Sequence, residues 1–412
     1  MSGVLNKYPS NIIEHIFSNG LNSVGLNLPE FKYNYFFYDE IANRQKDYKL
    51  IFNNIQNEIH KINDSKLYEI KKIIDFLARG VKRYVMSKKI LNNRVSNAFM
   101  KLWEMFEMEP RLISKDDEDL YAFHMAEAPG QFIYCIYEYN KVNRKNITNY
   151  EWRANSLVPE DVNKNMYDVS LILGDDYGFI KGNPDKWLWG DDNTGDITHV
   201  NNIRYYRKYV QENLKKMNLV TGDAGVPVEL GLQFMQKLEI CQMVLTLATS
   251  LKGSHCVIKH FVPYILSDDK TYKSSGYYMC LLYSYMLFYE EIKIVKPVTS
   301  KPNGGEYYII GINFRGIDDD YLENFYKLIE DYKENMCWFN MSDISPSFSN
   351  QVINFTLNLM EMNMEFDKER LKLYKMYNNK KDNWYELTSF KYYEKDRIKF
   401  YDKWINDNNF IN

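Results

Sequence analysis

The hydrophobic and polar positions divide the chain into three regions. From Lys46 to Leu77 apolar residues recur at helical spacing, with isoleucine at every third or fourth position from Ile51 to Ile62. From about Lys101 to Phe314 short apolar runs alternate with amphipathic stretches. From Asp318 onward the spacing is helical again. This order predicts a central α/β unit between two helical extensions.

The alternation in the middle region predicts a doubly wound sheet. The candidate strands are Tyr121–Met125, Met166–Leu173, Leu219–Thr221, Ser254–Phe261, Glu291–Val295 and Glu306–Phe314. The last two follow each other with only a loop between them, so we expect an antiparallel hairpin at one edge of a mostly parallel sheet. The predicted division is an N-terminal helical extension (1–92), a Rossmann-like core (93–316) and a C-terminal helical extension (317–412).

The stretch from Tyr121 to Asn140 predicts a buried strand, a tight turn and a helix. Its turn contains Pro129 and Gly130, and an apolar run resumes at Phe132. A strand, a glycine turn and a helix N-terminus present backbone N–H groups to a ligand in α/β folds. Because one glycine and one proline fit any such turn, this unit alone does not define a function.

Composition narrows the class of protein. The 412 residues are 45% hydrophobic and 16% aromatic, which is enough for a sizeable core. The sequence contains no apolar run of membrane-spanning length, and its first residues lack the pattern of a secretory signal. The five cysteines are scattered and none forms Cys-x-x-Cys, which predicts a reducing, intracellular compartment and no metal site.

A basic window stands out against the formal net charge of −3. Residues 79–94 contain no acid, and they include Lys82, Arg83, Lys88, Lys89 and Arg94. One interpretation is a solvated helix face, which describes most charge runs. The other is a phosphate-binding face, because a nucleic acid bound by an acidic protein has to be held by a local basic patch.

Four polar residues occur at positions that suggest chemistry. Lys101 lies on a helix before the first strand of the sheet, Asp223 and Lys259 lie at the ends of later strands, and Glu306 opens the last strand. A carboxylate at the carboxyl end of a strand is where open α/β sheets place their sites. A lysine near a strand end is costly to bury unless something uses it.

This spacing resembles the FtsJ-like RNA 2′-O-methyltransferases, whose Lys-Asp-Lys-Glu tetrad follows the same order. The segment VSNAFMKLWEM is similar to the S-x-A-x-x-K-L-x-E segment of that family, and EAPGQF is similar to its A-P-G-G-F cofactor loop. The segment KPVTSKPNGGEYYIIG resembles its K-P-x-x-S-R-x-x-x-x-E-x-Y tail. These three motifs in the right order are far more specific than any one of them.

Two features resemble the cap-specific mRNA branch, especially the second cap methyltransferase and its relatives in large cytoplasmic DNA viruses. Glu127 directly precedes Ala128, and WLWGDDNTGDI spans Trp187 to Ile197. The sequence also departs from the family pattern, because Gln131 replaces the second glycine of the cofactor loop and Lys301 replaces the usual arginine of the tail.

The resemblance implies methyl transfer from S-adenosylmethionine to a ribose 2′-OH. It makes Lys259 the general base, Lys101 a neighbouring cation, Asp223 the residue that orients Lys259, and Glu306 the ion-pair partner of Lys101. The implied cofactor residues are Ser96, Glu127, Ala128, Pro129, Gly130, Gln131, Phe132, Trp152, Asp196 and Ile197. Two of these have simpler explanations: Asp196 as the cap of a turn, and Trp152 as a core residue.

Substrate and partners follow from the same resemblance. The leading hypothesis is a cap-proximal mRNA 2′-O-methyltransferase that acts on capped mRNA, in nucleus or cytoplasm or in a viral factory, with other capping or transcription proteins as possible partners. The alternatives are 2′-O-methylation of structured ribosomal or transfer RNA, and a degenerate domain that serves as an RNA-binding subunit. The sequence leaves open the oligomeric state and the cap nucleotide that is modified.

Overall fold

The computed structural model describes most of the chain. The described residues are 19–22, 27–60, 80–89, 91, 95–158, 173–214, 216–225, 232–262, 275–301, 304–378 and 388–410. The predicted strand Met166–Leu173 lies outside them except for Leu173. The region of helical spacing predicted from Lys46 to Leu77 lies outside them from Lys61 onward. Arg94 of the basic window also lies outside the described residues.

A seven-stranded sheet forms the centre of the described structure. Its strands are β1 (Asn19–Asn22), β2 (Asp119–Met125), β3 (Asn149–Ala154), β4 (Leu219–Gly222), β5 (His255–Phe261), β6 (Tyr289–Val295) and β7 (Glu306–Phe314). The spatial order is β1-β6-β7-β5-β4-β2-β3. Strands β2 to β5 are parallel, whereas β7 is antiparallel to β5, β6 to β7, and β1 to β6. The predicted mostly parallel sheet with an antiparallel hairpin is therefore confirmed, with β1 as an additional strand outside the hairpin.

Helices flank this sheet and form both extensions. They are α1 (Asp39–His60), α2 (Val81–Ser87), α3 (Asn97–Met108), α4 (Gln131–Asn143), α5 (Phe179–Gly182), α6 (Val200–Asn213), α7 (Leu232–Thr249), α8 (Ser275–Phe288), α9 (Asp319–Glu330), α10 (Pro346–Asn378) and α11 (Thr388–Asp407). The apolar segment that forms α8 is buried along its whole length, as its lack of a polar face predicts. Within the described residues, no helix is long and apolar enough to cross a membrane.

The register of β7 determines what lies at the carboxyl edge of the sheet. Because β7 runs antiparallel to β5, Glu306 pairs with Phe261 and Tyr308 pairs with Lys259. The first residues of β7 therefore lie beside the last residues of β5. All parallel strands end at this edge, which is where α/β sheets bind ligands.

Strand β3 was missed by the sequence analysis. Its sequence NYEWRA alternates incompletely, and only Trp152 and Ala154 are buried. Among the described residues it pairs with one strand of the sheet, β2, and its other side makes an isolated bridge between Ala154 and Trp187. An edge strand of this kind resembles a loop in its hydrophobic pattern.

The C-terminal helices pack against the core, as their apolar stripes predict. Leu322 and Phe325 of α9, Phe348 of α10 and Trp404 of α11 belong to the main hydrophobic cluster. Phe410, just after α11, also belongs to it. The extension is thus continuous with the core in its packing.

Candidate active site

The four tetrad side chains meet at the carboxyl edge of the sheet as two ion pairs. The Lys101 Nζ atom lies 2.5 Å from Glu306 Oε1. The Lys259 Nζ atom lies 3.1 Å from Asp223 Oδ1 and donates to the Asp223 carbonyl oxygen at 2.7 Å. These side chains are 10–22% exposed, so the site is close to the surface but largely desolvated.

Tyr308 links the two ion pairs. Its hydroxyl donates to Asp223 Oδ1 at 2.9 Å, and its ring centroid lies 5.8 Å from Lys101 Nζ. Burial, together with the charges of Asp223 and Glu306, raises the pKa of this phenol well above its usual value. Tyr308 therefore stays a proton donor to Asp223. The quoted tail motif contains this tyrosine, but the sequence analysis assigned it no role.

Three lysines hold Glu306 in its ionised form. Burial alone raises the pKa of its carboxyl, but the positive charges of Lys101, Lys259 and Lys296 outweigh burial and lower the pKa below its usual range. The Ser300 Oγ atom also donates to Glu306 Oε1 at 2.8 Å. Glu306 is thus a fixed anion that keeps Lys101 in place.

Lys296 is a third buried lysine that the sequence analysis did not single out. Its Nζ donates to Ser300 Oγ at 3.0 Å, to the Gly304 carbonyl at 2.7 Å and to the Glu306 carbonyl at 2.8 Å. Burial lowers its pKa to about 7, against the attraction of Glu306. Through these three hydrogen bonds Lys296 stabilises the loop between β6 and β7. In the sequence, Lys296 is the first residue of the quoted tail motif.

The predicted cofactor loop is the turn between β2 and α4. Gly130 caps α4 with a φ of +106°, in the left-handed region that favours glycine. The Glu127 Oε1 atom accepts from the backbone N–H groups of Phe132 (2.7 Å) and Ile133 (3.1 Å). The loop is therefore tied to the first turn of α4, as the strand–turn–helix prediction requires.

The end of β3 holds this loop and the 187–197 loop together. Asn155 accepts from Ala126 N through Oδ1 (3.2 Å) and donates through Nδ2 to the Gly195 carbonyl at 3.1 Å. The Ser156 Oγ accepts from Ala128 N at 2.7 Å. A Cβ atom at Gly195 would lie 1.9 Å from the Ser156 carbonyl oxygen, so only glycine fits there. The sequence analysis missed Asn155 and Ser156 because it missed β3.

Asp196, the residue after Gly195, stabilises the turn in which it lies. Its Oδ1 accepts from Thr198 N at 2.8 Å, and its backbone carbonyl accepts from Asn202 Nδ2 at 2.8 Å. The carboxylate is 27% exposed, with Oδ2 3.7 Å from His199 Nε2. Asp196 thus makes the turn-capping contact that its simpler explanation proposed, and its partial exposure leaves it able to contact a ligand. The next residue, Ile197, is buried.

Three other predicted cofactor residues have partners within the protein. The Ser96 Oγ caps α3 by accepting from Phe99 N, and Ser96 N donates to Gln131 Oε1 at 3.1 Å. The Gln131 Nε2 donates to the Tyr177 hydroxyl at 2.5 Å. Trp152 is 1% exposed and packs edge-on against Trp187, which is the core position that the sequence also allowed.

The described part of the basic window forms helix α2 and the turn after it. Arg83, Lys88 and Lys89 are exposed and Lys82 is partly buried. The helix rests on the C-terminal extension, where the Tyr84 hydroxyl donates to Asp402 Oδ1 at 2.5 Å. The positive surface on α2 is thus anchored to the protein and is presented to solvent.

Replacing Glu127 with glutamine should change how stability depends on pH. Burial raises the Glu127 pKa to about 8, from 4.5, despite the two backbone N–H donors. Between these values the folded state holds a proton that the unfolded state releases, so the free energy of unfolding falls as pH rises, by up to about 1.4 kcal/mol per pH unit. In Glu127→Gln, Oε1 can still accept both bonds and this decline should disappear.

The measurement is urea unfolding of both proteins between pH 5 and 9. We expect the free energy of unfolding of the natural protein, minus that of Glu127→Gln, to decrease as the pH rises to about 8 and to stay constant above it. A difference that stays constant over this range would contradict the assignment of the raised pKa to Glu127.

Fold and site together have the arrangement expected of a Rossmann-like methyltransferase. A sequence model described as FtsJ-like methyltransferase matches residues 94–314, which is more than half of the chain. The chain therefore belongs to the FtsJ-like methyltransferase family. The family resemblance that the motifs predicted is confirmed.

Similar proteins come from large DNA viruses and from animals. Uncharacterized protein L511 of Acanthamoeba polyphaga mimivirus is 29% identical over 79% of this chain and 38% of its own length. Probable methyltransferase EP424R of African swine fever virus (isolate Pig/Kenya/KEN-50/1950) is 26% identical over 66% of this chain and 62% of its own. Cap-specific mRNA (nucleoside-2′-O-)-methyltransferase 2 of Danio rerio is 27% identical over 53% of this chain and 28% of its own length. The chain thus spans less than two thirds of each of these relatives.

Proposed function

We propose that this protein transfers a methyl group from S-adenosylmethionine to the ribose 2′-OH of cap-proximal nucleotides of mRNA. The observation that carries the proposal is the meeting of two lysine–carboxylate pairs, Lys101–Glu306 and Lys259–Asp223, at the carboxyl edge of the sheet. We further propose that residues 93–316 are the methyltransferase core and that the flanking helical extensions serve RNA binding.

The residues at this edge fit the chemistry of S-adenosylmethionine. The turn before α4, from Ala128 to Gly130, would bring its backbone close to the methionine part of the cofactor. Asp196 and Asp223 are partly exposed carboxylates that suit the ribose hydroxyls and a positive charge, respectively. When bound, the cofactor supplies a methyl group on a sulfonium, which is already a good leaving group.

The work left to the protein is to position the 2′-hydroxyl and to remove its proton. Lys259 is the proposed base. The ammonium that forms when it takes the proton lies 3.1 Å from Asp223 Oδ1 and 2.7 Å from the Asp223 carbonyl, so both oxygens stabilise it as charge develops. Asp223 is itself oriented by Tyr308.

Lys101 and Glu306 act beside this base. Their ion pair keeps a second positive charge near the reacting groups, where it attracts the developing alkoxide. Because Glu306 is held as an anion, Lys101 is not free to swing toward Asp223. This separation gives one lysine the role of base and the other the role of fixed cation.

Preference for a capped RNA is supported by the branch to which the motifs belong. The Glu127–Gly130 loop and the Trp187–Ile197 segment, which resemble the cap-specific branch, lie next to each other through Asn155. Proteins named for cap-specific mRNA methylation are among the relatives.

The product of the reaction tests this proposal. The protein is incubated with labelled S-adenosylmethionine and a short capped RNA, and the RNA is then digested to nucleosides. Label in a 2′-O-methylated nucleoside supports the proposal. Label on a base would overturn it, and binding of RNA without binding of cofactor in calorimetry would favour the degenerate subunit.

Removing two lysines of the basic window should weaken RNA binding without changing the chemical step. In Lys88→Ala/Lys89→Ala we expect the KM for RNA to rise about fivefold and the slope of log K against log salt to fall by about 1.4, because each phosphate contact on a single strand contributes about 0.7. The value of kcat should stay the same.

The matched control is Lys208→Ala on α6, which removes an exposed lysine from another helix. It should leave both the KM and the salt slope unchanged. An equal effect of the control, or a change confined to kcat in the double variant, would contradict a phosphate-binding role for the window.

A further inference from the structure

The helix that carries Lys101 is held by residues from the far C-terminus of the chain. The Trp103 Nε1 of α3 donates to the Asn408 carbonyl at 2.8 Å, and Asn409 Nδ2 donates to Glu107 Oε2 at 2.6 Å. The ring centroids of Trp103 and Phe410 lie 4.4 Å apart. These C-terminal residues lie outside the family match at 94–314.

Glu104, one turn after Lys101, fastens the same helix to the loop between β6 and β7. Its carboxylate is 3% exposed. Its Oε1 accepts from Val298 N at 2.5 Å, and its Oε2 accepts from the backbone N–H and the hydroxyl of Thr299 at 3.1 and 3.0 Å. In the described part of the chain, the hydrogen bonds to this carboxylate come from donors on Val298, Thr299 and Trp404.

The fastened loop leads directly back to the tetrad. Ser300 follows Thr299 and donates to Glu306, and Glu306 pairs with Lys101. Helix α3, the loop and the ion pair therefore form a closed ring. We therefore expect a shift of Glu104 to displace Lys101 and Glu306 relative to each other.

Trp404 of α11 contacts the same Glu104 carboxylate. Its Nε1 lies 3.4 Å from Glu104 Oε2 as a further donor, and its side chain is buried. Burial raises the pKa of Glu104, and the bonds from Val298, Thr299 and Trp404 act against that shift. Trp404 therefore both covers the carboxylate and helps to offset the cost of burying it.

We propose that Trp404 is a positioning residue for the methyl transfer: through Glu104 it sets the place of Lys101 beside Lys259. This inference rests on the proposed function for its kinetic readout. It makes the C-terminal segment part of the catalytic unit, although the segment lies outside the residues that define the family.

The test is Trp404→Phe, which keeps an aromatic ring in the core and removes the indole N–H. We expect kcat to fall about five- to tenfold, with the KM values for RNA and S-adenosylmethionine unchanged within about twofold. The matched control is Trp338→Phe, which removes another buried indole N–H, donated to Ser284 Oγ at 3.0 Å. Both variants are assayed well below their Tm.

A kcat unchanged in Trp404→Phe, or lowered equally in Trp338→Phe, would overturn the proposal, and so would an effect confined to KM. If Trp404→Phe does not fold, Thr299→Val removes another donor to Glu104 and should also lower kcat alone; an unchanged kcat there would overturn the proposal.

Hydrogen exchange separates this inference from the proposed function. Amides of α3 should exchange faster in Trp404→Phe than in Trp338→Phe, whichever RNA is the substrate. If the natural protein methylates no RNA, the proposed function fails, while the exchange of α3 still tests whether Trp404 holds the Lys101 helix. Equal exchange in the two variants would overturn the inference even if the enzyme is active.

Discussion

Lys259→Ala should lower methyl transfer by about 10³-fold and leave the affinity for S-adenosylmethionine unchanged within about threefold. A positioned general base contributes about 10²–10⁴-fold. No other described lysine contacts both Asp223 Oδ1 and the Asp223 backbone carbonyl oxygen. Lys259→Arg should be equally inactive, because arginine keeps the positive charge but does not give up its proton. Single-turnover transfer and calorimetry measure the two quantities.

The control is Lys252→Ala, at an exposed position shortly before the same strand. It should keep full activity. A Lys259→Arg variant that transfers methyl at a normal rate would show that a positive charge suffices and that Lys259 is not the base.

Gly130→Ala should weaken S-adenosylmethionine binding by at least about tenfold. The φ of +106° costs a residue with a Cβ roughly 1–2 kcal/mol, and that Cβ would lie 2.6 Å from Phe179 Cδ2. The loop or Phe179 has to move, so the proposed contact of the β2–α4 turn with the cofactor should be disturbed. Calorimetry gives the affinity and thermal unfolding gives the change in stability.

Gly316→Ala separates backbone strain from loss of the site. Its φ is +99°, and a Cβ there would have no neighbour within 4 Å. It should lower the Tm to a comparable extent and leave cofactor affinity unchanged. Normal cofactor binding by Gly130→Ala would mean that the β2–α4 turn does not form the binding site.

Hydrophobic patterning predicted the elements that lie deep in the fold. The apolar runs of β5 and α8 have few alternatives to burial, and the short loop between β6 and β7 leaves antiparallel pairing as the simple solution. Patterning missed β3 because an edge strand is only partly buried. It also could not give the sheet order, since the insertion of β7 between β5 and β6 depends on pairing between distant residues.

The candidate site was predictable in its members and, through the family resemblance, in its pairing. The motifs named Lys101, Asp223, Lys259 and Glu306, and the resemblance implied the pairs Lys101–Glu306 and Lys259–Asp223 that the structure contains. Local spacing alone could not give these pairs, because they depend on the register of β5 and β7. Supporting residues such as Lys296 and Trp404 were not predicted as part of the site. Lys296 contacts residues 4 to 10 positions further along the chain and stands in the tail motif, but it was given no role from the sequence. Trp404 contacts Glu104 from 300 positions away, which local spacing does not encode.

The central claim is tested most directly by methyl transfer to three otherwise identical short RNAs: uncapped, cap-0 and cap-1. The account predicts transfer to a capped RNA, little transfer to the uncapped one, and none by Lys259→Ala. Activity on cap-0 alone would assign the first nucleotide, and activity that persists on cap-1 would assign the second. Equal transfer to capped and uncapped RNA, or transfer that survives in Lys259→Ala, would contradict the account.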